Sequence, residues 1–179
     1  MSAAAATIDT ARLHLRPHRL EDFDALHAMF ADPAVLAPMG RAPLSGEDVW
    51  NRLLRYIGHW HALDYGLFAI IERDSGAFLG ETGFADFHRG LGPRFDGVPE
   101  AGWILRTQAH GRGIAAEAVG AAHAWLDARH SGGARSVCCI GRHNLPSQRV
   151  AAGAGYHPFG EARYHDQDVV LYERTRETH

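Results

Sequence analysis

Residues 108–115, Gln108-Ala109-His110-Gly111-Arg112-Gly113-Ile114-Ala115, set two glycines one residue apart before a run with apolar residues at helical spacing. Each glycine costs backbone entropy when it is fixed in place, so a pair of them calls for a reason. A helix start offers N–H groups without partners and a partial positive charge, and a bare turn lets a ligand come close to those groups. The chemistry this suits is the binding of an anion, a phosphate above all. A plain tight strand-to-helix connection would use the same residues.

Three phosphate-binding schemes are open to such a turn. A nucleoside-triphosphate loop ends in Gly-Lys-Ser/Thr, and Arg112-Gly113-Ile114 supplies neither the lysine nor the hydroxyl. Gly111-x-Gly113-x-x-Ala116 imitates the dinucleotide fingerprint, but the following strand ends in Gly141-Arg142 rather than an acidic residue, and too little chain remains for a doubly wound sheet. The third scheme is a cradle for the pyrophosphate of an acyl-CoA.

For that third scheme the residues resemble a known family. Residues 108–115 are similar to the Q/R-x-x-G-x-G/A signature of the GCN5-related N-acetyltransferases. Glu100-Ala101-Gly102-Trp103, Ala115-Ala116-Glu117-Ala118, and Asn144-Leu145-Pro146-Ser147 followed by Gly155-Tyr156 resemble the branch that includes the ribosomal-protein N-terminal acetyltransferases. The likeness runs from the first strand through Asp64-Tyr65-Gly66-Leu67-Phe68-Ala69-Ile70 to the last hairpin, and the order and spacing of the motifs carry it.

The resemblance implies an α/β fold, with a central mixed, mostly antiparallel sheet split between two parallel strands and helices on both faces. It implies acetyl-CoA as acetyl donor and no metal. The pyrophosphate would lie on the turn from His110 through Gly111, Arg112, Gly113 and Ile114 to Ala115, with the Arg112 guanidinium adding a charge-assisted contact. The pantetheine arm would run along Trp103-Ile104-Leu105-Arg106, whose N–H groups would also stabilise the thioester oxyanion. Trp103 and Leu105 would serve equally as core. Asn144 would bind the pantetheine or cap the late helix.

Acetylating an amine requires a base for the ammonium proton and an acid for the departing thiolate. Glu100, at the start of the cofactor strand, is the candidate base, directly or through water; a carboxylate there could instead hold a loop. Asp86 is the reserve, and Asp86, Glu81 and Glu100 could all offer negative charge to an ammonium. The family's tyrosine acid would stand seven residues after Asn144, where this chain has Ala151. Ser147 is the substitute implied by the ribosomal-protein branch, and a helix-start serine bonding the backbone is the alternative. Tyr156 reads as core, and His110 and His143 stand at strand ends where they could shuttle protons. The acceptor implied is a primary amine, on a protein N-terminus or a small molecule, attacking in a ternary complex. A non-catalytic acyl-CoA sensor and a dinucleotide-binding enzyme are the other functional readings.

The elements that must position these groups follow from pattern. Residues 11–16 alternate as a half-buried strand; Phe23, Leu26 and Phe30 recur as a helix behind Glu21 and Asp22, ended by Asp32-Pro33; 31–45 reads as a loop or broken turn. Ser45-x-x-Asp48 resembles a capping box opening a helix to about residue 63, with Val49, Leu53, Ile57 and Trp60 on one face. Residues 67–72 and 78–87 form an antiparallel pair around the 73–76 turn, and 88–99 reads as an exposed, glycine-rich loop able to move over an acceptor. Strands 100–106 and 135–141 flank a helix with Ala115, Ala118, Val119, Ala122, Trp125 and Leu126 on one stripe, ended by Ser131-Gly132-Gly133, and should therefore be parallel. A short helix from Pro146 to Ala154 and a closing strand pair complete one domain, residues 1–179. The acceptor walls would come from 31–45, 57–65 and 88–99, and the aromatic strand ends Phe159 and Tyr164 would permit a dimer as well as a monomer.

Composition bounds the rest. Of 179 residues, 46% are apolar, and the net charge of −3 gives no electrostatic case for nucleic acid or an anionic membrane. The longest apolar stretches fall far short of a membrane span, and the start lacks a secretory pattern, so a cytoplasmic setting is expected. Cys138 and Cys139 would face opposite ways on a strand, and His59 and His61 opposite ways on a helix, which argues against a disulfide or a shared metal.

Overall fold

The computed structural model describes residues 6–129 and 134–175. Its elements are β1 (Ile8–Asp9), β2 (Leu13–Pro17), α1 (Phe23–Phe30), α2 (Pro33–Leu36), α3 (Gly46–Leu63), β3 (Leu67–Glu72), β4 (Phe78–Ala85), β5 (Glu100–Leu105), α4 (Ile114–Arg129), β6 (Arg135–Gly141), α5 (Leu145–Gly153), β7 (His157–Tyr164) and β8 (Gln167–Thr175). They build one eight-stranded sheet in the order β1-β2-β3-β4-β5-β6-β8-β7. Every neighbouring pair is antiparallel except β5 and β6, which the crossover through α4 makes parallel.

The sheet has a core on each face. On one, Leu13, Leu15, Phe68, Phe84, Ala101 and Leu105 pack against Ile114, Ala118, Ala122 and Leu126 of α4. Trp60, Phe68 and Trp125 meet edge to face there, with ring centroids 4.8 to 5.5 Å apart. That geometry sets ring edges against faces, and the Trp60 indole donates to Leu67 O at 3.0 Å. On the other face, Leu26, Met29 and Phe30 of α1 and Val49, Leu53 and Tyr56 of α3 cover Leu67, Ala69 and Phe78. The capping box opens α3 as expected, Ser45 Oγ accepting from the Asp48 N–H at 3.1 Å.

Several expectations are corrected in detail. Residues 31–45 contain α2, because Asp32 both ends α1 and caps the next turn, accepting from the Ala34 N–H with Pro33 at the first helical position. Strand 78–87 stops at Ala85 and strand 100–106 at Leu105. The 88–99 segment is irregular but not simply exposed: Phe95 is buried with Val137, Val169 and Leu171, and Arg135 donates to Arg94 O at 2.7 Å. That anchor weighs against wholesale motion of the segment. Phe159 and Tyr164 are half-buried under the guanidiniums of Arg94 and Arg89, at 4.5 and 5.0 Å, so they do not form a bare aromatic edge. The helix end at Ser131-Gly132-Gly133 lies outside the described residues. Cys138 is buried and Cys139 half-buried in a different core cluster, as strand alternation requires. His59 is buried and bonded to Asp86 O at 3.0 Å, while His61 is exposed. No helix among the described residues is long and apolar enough to cross a membrane.

Candidate active site

The sheet opens between β5 and β6. β5 is paired along its length to β4 and β6 along its length to β8, yet the two touch through one register pair, Glu100 with Val137, beside which Val137 N donates to Pro99 O at 3.0 Å. Beyond that point they diverge, and the gap widens toward the glycine turn after β5 and the start of α5 after β6.

Antiparallel pairing decides which β5 donors face the gap. Arg106 N donates to Leu79 O at 2.9 Å, so by alternation the N–H groups of Ile104 and Gly102 also point to β4. Those of Ala101, Trp103 and Leu105 turn to the open side. Of the four residues implied for the pantetheine arm, Trp103 and Leu105 therefore present free-facing donors, whereas Ile104 and Arg106 spend theirs inside the sheet. The Trp103 and Leu105 side chains meanwhile pack in the α4-side core.

At the lip of the gap, Gly111 and Gly113 have φ of +70° and +75°, backbone that side-chain-bearing residues rarely adopt. A Cβ on Gly111 would meet nothing within 4 Å, so the turn is open to an approaching group as well as left-handed. Ile114 begins α4 directly behind it, and the first-turn N–H groups have no intrahelical acceptor. The Arg112 guanidinium turns away and pairs with Glu72, and the Arg112 carbonyl accepts from Arg12 NH1 at 2.8 Å. Arg12, held by Glu117 through Nε at 2.7 Å, thus braces the turn from outside. His110 donates through Nε2 to Leu105 O at 3.0 Å, which ties the turn to the strand. An open, left-handed cradle of backbone donors fits a pyrophosphate.

On the opposite lip, Asn144 caps α5, its Oδ1 accepting from Ser147 N at 3.2 Å, while among the described residues no group bonds the Ser147 hydroxyl. Ala151, at the position where the resemblance would have a tyrosine, is fully buried. Tyr156 is core, its hydroxyl bonded to Ser136 Oγ at 2.7 Å and His123 Nε2 at 2.9 Å.

At the closed end, Glu100 is buried, and both its oxygens accept from Arg89 Nε, at 2.9 and 2.7 Å. Burial pushes its carboxyl up and the guanidinium partly offsets this, the net direction being upward. Glu100 thus holds the residue-89 segment. From Val137, level with Glu100, to Gly141 the strand rises about 13 Å at about 3.3 Å per residue, so Glu100 and the start of α5 lie at well-separated ends of the gap. Asp86 instead accepts from His88 N at 3.2 Å and stands beside the His88 ring.

The α1 and α3 face of the gap holds Glu81, named above as a possible partner of an ammonium, beside Tyr56 and arginines that pattern reading passed over. Tyr56 donates to Glu81 Oε1 at 2.7 Å and accepts from Arg52 NH1 at 2.8 Å. Glu81 is buried in mid-strand, and burial pushes its carboxyl up to about 7. The charges of Arg52 and Arg55, both on α3, act on it, and Arg41 and Arg89 from two other segments join those arginines. Glu81 did carry a signal, as an acid inside the apolar run FLGETGF; the arginines did not, since only folding gathers them.

A family model described as an acetyltransferase (GNAT) domain matches residues 12–157. A GnaT-family acetyltransferase from Bordetella pertussis is 35% identical, the match covering 94% of this chain and 99% of that one with a TM-score of 0.84. An acetyltransferase from Agrobacterium tumefaciens strain C58 is 26% identical over 98% of each chain, with a TM-score of 0.80. A ribosomal-protein-serine acetyltransferase from Vibrio cholerae has the same fold at 16% identity, covering 98% of this chain and 100% of that one, TM-score 0.78. With the sheet parted at its parallel pair and a match over most of its length, this chain belongs to the GNAT acetyltransferases, the family that transfers acetyl from acetyl-CoA to amines.

Proposed function

We propose that the protein carries the acetyl group of acetyl-CoA to a primary amine by direct attack in a ternary complex. The observation that supports this most is the pairing of a one-sided opening in the sheet with an open, left-handed glycine turn at a helix start. Acetyl-CoA bound there supplies an activated thioester. Trp103 and Leu105 N–H would take the carbonyl and amide oxygens along β5, where donors already fixed in place are worth most as charge develops. Gly111, Arg112, Gly113, Ile114 and Ala115 would receive the pyrophosphate on backbone N–H groups.

Glu100 would accept the ammonium proton, through a water because its own oxygens are occupied by Arg89. Ser147, whose hydroxyl has no partner among the described residues, would hydrogen bond the departing sulfur and pass it a proton from solvent. Asn144 would hold the start of α5 so that this hydroxyl faces the gap. The buried Ala151 favours one rival, a CoA-binding sensor without turnover, because no tyrosine is present to serve as acid.

The test is a melting curve with acetyl-CoA or CoA at 1 mM, then thiol release with a panel of amines. A ligand at about 100 times its Kd adds about 2.7 kcal/mol. Binding followed by amine-dependent thiol release is the expected result. Binding without release from any amine would leave the sensor, and no binding would remove both.

A further inference from the structure

Four guanidiniums line the α1 and α3 side of the gap, and among the described residues three of them have no ion-pair partner. Arg52 lies over the Phe30 ring at 4.6 Å and bonds only the Tyr56 hydroxyl. Arg55 and Arg89 lie at 4.8 and 4.7 Å from the Phe87 ring. Arg89 alone has a carboxylate, Glu100; among the described residues none stands within 4.0 Å of Arg41, Arg52 or Arg55. The other acid here, Glu81, is buried and holds its proton up to about neutral pH.

These cations are held close in spite of their repulsion. Arg41 and Arg55 each feel the charges of Arg52 and Arg89, and burial together with those charges lowers both below the usual arginine value. Their backbones are fixed: Arg41 follows Gly40, whose carbonyl accepts from Gln167 Nε2 at 2.9 Å, and Arg55 sits within α3. Arg89 NH1 donates to Tyr164 OH at 2.9 Å. The last two bonds tie the residue-40 loop and the residue-89 segment to the β7–β8 end. The arginines also border the gap, since Arg89 is paired with Glu100, the residue that meets Val137 where β5 and β6 touch. Uncompensated guanidiniums beside the place where an acceptor must enter are a demand for a planar anion.

We infer that the acceptor brings that anion: the amine acetylated here is a small molecule of the amino-acid type, bound through its carboxylate by Arg41, Arg55 and Arg52 while its nitrogen faces Glu100. This rests on the transferase reading above and narrows it, for a polyamine would meet four like charges. A short acceptor fits better than a chain that must run through beside two segments both tied to the β7–β8 end.

The experiment compares, at saturating acetyl-CoA, each proteinogenic amino acid with its own carboxamide, with spermidine, and with a C-terminally amidated peptide bearing an acidic second residue. For the preferred side chain, kcat/KM for the free acid should exceed that for the carboxamide by about tenfold or more. Arg41→Gln and Arg55→Gln should each shrink that ratio through KM for the acid, with KM for acetyl-CoA and the melting temperature unchanged. A ratio near one, or one that survives both substitutions, would overturn the inference while leaving the transferase intact. Preference for the acidic peptide would overturn the small-molecule part and give the arginines to a polypeptide. Calorimetry with CoA present, comparing N-acetyl amino acids with their carboxamides, reads the pocket without turnover. Carboxylate-selective binding in a protein that acetylates nothing would overturn the transferase and with it the acceptor role, leaving the arginines as a carboxylate-binding site alone, whereas no selective binding would overturn the inference while leaving the transferase intact.

Discussion

His18 Nε2 and Glu81 Oε2 lie 3.8 Å apart in the interior, and neither atom has a hydrogen-bond partner in the protein. Burial lowers the imidazole to about 4 and raises the carboxyl to about 7, so both are neutral in the folded protein at pH 5.5, whereas in the unfolded chain both are charged. The Asp22 carboxylate, 3.7 Å from Nδ1, offsets the lowering only in part.

The signs of the two contributions oppose. For Glu81, folding binds an extra proton between about pH 4.5 and 7, and the associated stability is lost as pH rises through that window. For His18, folding releases a proton between about pH 6.5 and 4, and stability is lost as pH falls. Between about 4.5 and 6.5 they cancel. Glu81→Gln should unmask a stability that climbs with pH by about 1.4 kcal/mol per unit over that range, and His18→Gln one that descends. Urea unfolding at several pH values reads both slopes; parallel curves for wild type and Glu81→Gln would contradict the assignment.

Glu100→Gln should lower kcat by about 10²- to 10⁴-fold with little change in KM for acetyl-CoA. Its acid limb should also vanish from the pH–rate profile, a limb displaced upward from the ordinary carboxylate range because Glu100 is buried. Arg89→Lys separates this from loop anchoring, since it keeps the charge but loses the planar contact. If Glu100→Gln and Arg89→Lys lower the melting temperature but leave the profile unchanged, Glu100 only holds the loop.

Gly111→Ala and Gly113→Ala would force a side-chain-bearing residue into left-handed backbone, at a cost of about 1 kcal/mol each. Neither meets a clash, the nearest atom to a Cβ on Gly113 being Arg12 NH2 at 3.5 Å. Both should therefore fold with a slightly lower melting temperature, and both should bind acetyl-CoA more weakly by calorimetry. Unchanged affinity would show that the turn is a connection only.

Ser147→Ala should leave the melting temperature unchanged, because the hydroxyl bonds no group among the described residues, while lowering kcat. Asn144→Ala should do the reverse first, losing about 0.5–2 kcal/mol of stability with the cap. Thermal melts and thiol-release rates on the two variants distinguish them.

Much of the scaffold was legible because it rests on local chemistry. The Ser45 to Asp48 box, the 67–72 strand and the crossover from β5 through α4 to β6 each follow from residues close in sequence. Alternation likewise put Cys138 and Cys139 in different environments. Missed features depend on contacts across the chain: Phe95 pinning the 88–99 segment, Arg12 bracing a turn 100 residues away, and an arginine group drawn from residues 41, 52, 55 and 89. Arg112 failed in the opposite direction. Its position beside the glycines implied a phosphate contact, but Glu72, from a distant strand, captures its guanidinium.

With Glu100–Val137 as the one register pair between β5 and β6, the sheet is two separately hydrogen-bonded plates, β1 to β5 and β6-β8-β7. Amide protons on neighbouring residues of the same strand should then behave as two populations. Those of Ile104 and Arg106, locked onto β4, will exchange with solvent as slowly as the plate unfolds, and those of Trp103 and Leu105, facing the gap, will exchange almost freely. A ligand that fills the gap would lengthen the lifetimes of the second population alone, so one short strand records both the stability of the protein and the occupancy of its site.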